Sequence, residues 1–119
     1  FLPAGGQGIL AVETKADTEA HRLCSQIDAD HRLCLTAERS VLETLQAGCH
    51  APVAVYANLF EEDGETKLRL RGINGPEHAS QLTDAELKNK IRRVDLCGTL
   101  SEISVTTLAD QAGKGLLWP

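Results

Sequence analysis

Cys49 is the residue best placed for covalent chemistry, in the segment Ala47-Gly48-Cys49-His50-Ala51-Pro52. An apolar stripe that ends at Leu45 puts this thiol just past a helix C-terminus, at the start of a loop. There it is open to an electrophile in a way that a mid-helix cysteine is not. No helix N-terminal dipole acts on it, so position alone implies no lowered pKa, and local features by themselves favour an inert loop thiol. Gly48 lets the chain turn without a Cβ clash and suits the left-handed residue that ends helices, while Pro52 stiffens the far side of the loop.

Other groupings invite sharper readings. His-Arg-Leu-Cys occurs at residues 21–24 and again at 31–34. A His and a Cys three apart share a helical face, so two such pairs could meet at zinc. No Cys-x-x-Cys pair supports this, and two core cysteines beside surface histidines is the expectation, with no metal. Lys67, Arg69 and Arg71 form a cationic stripe able to meet carboxylates, but their alternation with Leu68 and Leu70 fits a solvated strand face. Gly5 to Gly8 lack the spacing of a phosphate loop and the Lys-Ser/Thr that follows one. That stretch reads as a structural turn.

Composition narrows the function classes. The chain has 119 residues, 42% of them hydrophobic, which suits one ordinary globular domain. Aromatics at 3% leave few stacking platforms for bases, and a formal net charge of -5 opposes phosphate binding. No nucleic-acid partner is therefore expected. No apolar run is long enough to span a bilayer and no signal peptide is visible, so a soluble, cytoplasmic protein is expected, its four cysteines free thiols. A monomer is the expectation. With no Met at all, Phe1 is not a translation start, and a fragment of a longer protein is expected.

The elements that must position these residues follow from periodicity. Residues 9–12 (Ile-Leu-Ala-Val) read as a buried strand entered from the glycine turn. Asp17 or Thr18 caps a helix in which Leu23, Cys24 and Ile27 recur at helical spacing. A second helix begins near Asp28 or Asp30, with Cys34, Ala37, Val41 and Leu45 as its apolar stripe. Residues 52–60 and the alternation around Leu68 and Leu70 are strands, joined at Asp63-Gly64 by a hairpin loop longer than two residues. Residues 80–93 are ambiguous. Propensity favours a helix from Thr83 or Asp84, while packing could make residues 81–87 a third strand. A last helix spans residues 104–116. The sum is an α+β layer, a small antiparallel three-stranded sheet covered on one face by about three helices.

Two blocks carry a family resemblance. Thr36-Ala37-Glu38-Arg39 with Leu45 and Ala47-Gly48-Cys49-His50-Ala51-Pro52-Val53-Ala54 resembles the cofactor-loop signature of the porphobilinogen deaminases (hydroxymethylbilane synthases). Leu2-Pro3-Ala4-Gly5-Gly6-Gln7-Gly8 with Ala11-Val12-Glu13 resembles the stretch before that family's C-terminal domain. Ala47 stands where the family commonly carries a first glycine. The resemblance implies an enzyme of tetrapyrrole synthesis that joins four porphobilinogen units, releasing ammonia, on a covalently attached dipyrromethane cofactor. It implies Cys49 as the thioether attachment residue, with Gly48 shaping the loop. The family's catalytic aspartate and carboxylate-gripping arginines lie in its N-terminal domains, so no catalytic residue is expected in this chain, which alone should be inactive. Residues 1–16 become a severed strand and linker of the preceding domain, and residues 17–119 the cofactor-attachment domain. The competing reading is a non-catalytic α+β ligand-binding or regulatory module with Cys49 an incidental thiol.

Overall fold

A computed structural model describes residues 2–26, 29–47 and 52–117 of the chain. Helices α1 (Glu19–Ser25) and α2 (Ala29–Thr44) precede the strands β1 (Val53–Glu62) and β2 (Glu65–Asn74). Then come α3 (Asp84–Lys90), β3 (Arg92–Thr99) and α4 (Val105–Leu116). The strands form an antiparallel sheet in the order β1-β2-β3, so the expected α+β architecture holds.

Period-two alternation gives the sheet one apolar face. Its inward rows, read across the register, are Val55–Gly72–Val94, Ala57–Leu70–Leu96 and Leu59–Leu68–Gly98. Against them α2 brings Ala37 and Val41, and α4 brings Leu108, Ala109, Ala112 and Leu116. The helical layer is built from these two helices, since α1 and α3 bury none of their residues. The two long helices come together tightly at Gly113, where an added Cβ would stand 2.7 Å from Cβ of Thr44.

Several expectations need correction. Asp63 (φ 54°) and Gly64 (φ 76°) form a two-residue hairpin turn, shorter than anticipated. The strands run on to it because their polar tips pair across the ladder: Thr66 donates to Glu61 at 2.6 Å and Lys67 to Glu62 at 2.7 Å. The left-handed residue after α2 is Gln46 (φ 52°), so that role does not wait for Gly48. In the 80–93 segment, local capping decides for helix. Thr83 Oγ1 accepts from the Glu86 N–H while the Glu86 carboxylate accepts from the Thr83 N–H. The third strand lies later, at Arg92–Thr99. Residues 9–12 form no strand: Leu10 is 94% exposed and Val12 71%. The apolar pattern suits a strand, but the nearby β1 edge is already occupied, as described next.

Candidate functional site: the frame around the cysteine loop

The loop that carries Cys49 joins α2 to β1. Gly48 and Cys49 themselves lie outside the described residues, as do Ile27 and Asp28, whereas both flanks of the loop lie within them. On the α2 side the last turn closes as a Schellman motif. The Gln46 N–H donates to the Glu43 carbonyl and the Ala47 N–H to the Leu42 carbonyl, both at 3.0 Å. Ala47 itself does not adopt positive φ, so alanine costs nothing there. Thr44, at the end of α2, rests on Gly113 of α4. On the strand side the Pro52 carbonyl accepts from the Gly75 N–H at 2.9 Å, and Val53 pairs with Asn74. Asn74 is buried and donates from Nδ2 to the Leu116 carbonyl at 3.0 Å, fixing the end of α4 beside the same corner. Rigid elements thus hold both ends of the loop, as a reactive residue on a short connection requires.

The remaining cysteines sit in quite different places. Cys34, half-buried on α2, packs against the core. Burial pushes its thiol up, the Glu38 carboxylate adds to this, and the Leu59 backbone N–H opposes it. A neutral, shielded thiol is a poor nucleophile. Cys24 is on solvent-facing α1, and Cys97 is exposed on the open face of the sheet beside Arg69. At pH 8, Cys97 should be alkylated by iodoacetamide at least about tenfold faster than Cys34. Peptide-resolved labelling checks this, and faster labelling of Cys34 would contradict it. His21 meets Thr14 Oγ1 at 3.3 Å, and among the described residues no three His, Cys, Asp or Glu side chains come together at a metal-binding distance.

The outer edge of β1 is closed by three different acceptors. The Val55 N–H donates to the Pro3 carbonyl at 3.1 Å and the Ala57 N–H to Glu38 Oε1 at 2.9 Å, while the Leu59 N–H faces the Cys34 thiol. An edge strand is thereby blunted without a fourth strand. Beside it lies a cleft of about 390 Å³, lined by Gln7, Asp30, His31, Cys34, Glu38 and Asn58 among others. This cleft adjoins the first half of α2, whereas the cysteine loop leaves the other end of that helix. Residues 5–8 form the expected turn, in which the Gln7 N–H donates to the Ala4 carbonyl at 3.2 Å.

The cationic stripe on the opposite sheet face is mostly paired. Lys67 bonds Glu62, and Arg69 grips Asp95 through two contacts of 2.8 and 2.6 Å. The Arg71 guanidinium lies 5.4 Å from the Tyr56 ring centroid. The hydrogen bond from Arg69 holds the Asp95 carboxyl below the usual carboxylate range. Its contribution is therefore present above that range and is lost as pH falls through the depressed value, and solvent keeps it small. A wet strand face, as the alternation implied, describes this stripe.

Glu38 is the site residue that sequence reasoning passed over, although it stood inside the quoted motif. Its signal was its position. It falls four residues after Cys34 and three before Val41, so a carboxylate interrupts an otherwise apolar stripe.

Comparison with known proteins agrees with this geometry. Residues 32–103 match the family described as "Porphobilinogen deaminase, C-terminal domain", a stretch that includes most of α2, the cysteine loop and all three strands. "Porphobilinogen deaminase 1" of Streptomyces coelicolor is 47% identical over 85 residues, covering 68% of this chain and 26% of that protein. "Porphobilinogen deaminase" of Mycolicibacterium gilvum is 39% identical over 136 residues, covering 96% of this chain and 40% of its own length. The Brevibacillus brevis protein of the same name is 37% identical over 117 residues, covering 97% and 36%. The chain thus spans between about a quarter and two fifths of these relatives. With the match running through the helix, loop and strands that frame Cys49, the chain belongs to the porphobilinogen deaminase family and corresponds to its C-terminal portion.

Proposed function

We propose that this chain is the cofactor-attachment part of a hydroxymethylbilane synthase, with Cys49 as the residue bearing a dipyrromethane through a thioether. The whole enzyme would join four porphobilinogen units head to tail, releasing ammonia at each addition, in tetrapyrrole synthesis. The observation that carries this reading is the frame around the loop. Both flanks are fixed by backbone hydrogen bonds, which suits a residue that must present a covalently held group in one direction. The donor chemistry also fits. Cys34 is shielded and Cys24 and Cys97 lie on solvent-facing surfaces away from that corner, leaving Cys49 as the thiol on a held connection.

When bound, the cofactor is the anchor on which the pyrrole chain grows. This chain's own part would be attachment: the Cys49 sulfur would add to the methylene carbon left electrophilic by loss of ammonia, and the thiol proton would pass to the pyrrole ring nitrogen as the C–S bond forms. Gly48, lacking a Cβ, would give the loop room to turn, and Pro52 and the hydrogen bond from the Gly75 N–H to its carbonyl keep the exit rigid. Catalytic groups would come from the preceding domains, with residues 1–16 as the connection from them and residues 17–119 forming the attachment domain. The cytoplasm is the compartment this reading expects, and no helix among the described residues is long and apolar enough to cross a membrane.

Turnover tests the reading. Full-length protein containing this chain is expected to consume porphobilinogen and release ammonia in equal amounts, while residues 17–119 alone do neither. A full-length protein that binds porphobilinogen without releasing ammonia would contradict it.

A further inference from the structure

Glu38 carries a role that the loop chemistry does not use. It is 5% exposed, and a buried carboxylate is unfavourable unless hydrogen-bonded or paired. No cation meets it. Two backbone donors do instead: Oε2 accepts from the Gly6 N–H at 2.6 Å and Oε1 from the Ala57 N–H at 2.9 Å. The donors come from separate parts of the fold, one from the N-terminal segment and one from the outer edge of β1.

The fit of that segment is close. Gly6 sits at φ 75°, and a Cβ on Gly5 would stand 2.7 Å from Cδ1 of Leu42. A second tie runs from the Val55 N–H to the Pro3 carbonyl at 3.1 Å. Residues 2–8 are therefore bound to α2 and β1, while Leu10 and Val12 immediately beyond stand out in solvent.

We propose that Glu38 is a positioning residue, a two-armed carboxylate clasp that fixes how residues 2–8 lie on the domain bearing Cys49. The attitude of that domain toward the rest of the enzyme is then set at this clasp. What the attitude serves rests on the function proposed above; the clasp itself does not. A carboxylate is needed because two donors require two acceptors. Glutamine offers one, and turns its own N–H₂ toward a backbone N–H. Aspartate, one methylene shorter, reaches one donor at most.

The test is hydrogen exchange read by mass spectrometry on the full-length enzyme, as wild type, Glu38→Gln and Glu38→Asp. In both variants the peptide holding Gly6 should exchange at least about tenfold faster, with the peptide holding Leu68 and Leu70 unchanged. Rescue should be absent with aspartate, and kcat should fall at unchanged cofactor mass on the Cys49 peptide. Unaltered exchange at Gly6 would overturn the proposal. So would equal acceleration at Leu68 and Leu70, which marks a residue that only stabilises the core. Absence of cofactor mass from the wild-type enzyme would instead sink the proposed function and leave the exchange comparison standing.

Discussion

Replacing Cys49 by serine in the full-length enzyme is expected to abolish covalent cofactor loading and to lower porphobilinogen turnover by at least about a hundredfold. The reason is chemical. A serine hydroxyl is a much weaker nucleophile than a thiol near neutral pH, and it lacks the soft sulfur that adds to the methylene carbon. The matching changes Cys24→Ser and Cys97→Ser should leave loading and turnover within about twofold, since positions outside the core and away from the loop rarely matter to chemistry. Cys34→Ser is a less clean control, because it alters a half-buried contact beside the Leu59 N–H. Loading retained by Cys49→Ser but lost by another of the cysteine variants would move the attachment point and remove the role given to the loop.

The second large effect is structural. Leu70→Ala is expected to cost about 3 kcal/mol, the usual range for emptying a fully buried leucine site. Leu70 has no exposed surface and occupies the central strand, between Ala57 and Leu96 in the same inward row. The loss should show in urea unfolding as a lower midpoint at an unchanged slope. Leu10→Ala is the control. Its side chain is almost wholly solvated, so stability should move by less than about 0.5 kcal/mol. A Leu70→Ala cost below about 1 kcal/mol would mean that the sheet's inner face is not the core.

Much of this arrangement was legible because burial leaves a period. The stripe Cys34, Ala37, Val41 and Leu45 announces α2, and Leu68 with Leu70 between cations announces a strand with one wet face. The position of Cys49 at the junction follows from those two elements together with Gly48. β3 was hidden because Arg92, Arg93 and Asp95 mask the alternation of Val94 and Leu96, and its strand character comes from pairing with β2. Residues 9–12 misled for the opposite reason. Their pattern is that of a strand, but a strand needs an edge, and Pro3, Glu38 and Cys34 have closed the nearest one. The close approach of Gly113 to Thr44 and the two hydrogen bonds accepted by Glu38 are long-range facts, invisible to any local pattern, and they hold the middle and the C-terminal end of α2 in place.

These fixed ends make the loop a matter of chemistry rather than of folding. An intact-mass spectrum of the full-length enzyme, followed by peptide mapping around Cys49, tests that most directly. The predicted result is a mass increment of two linked pyrroles, confined to the peptide that contains Cys49. An unmodified Cys49 in active, full-length protein would contradict it and reduce the likeness to one of architecture.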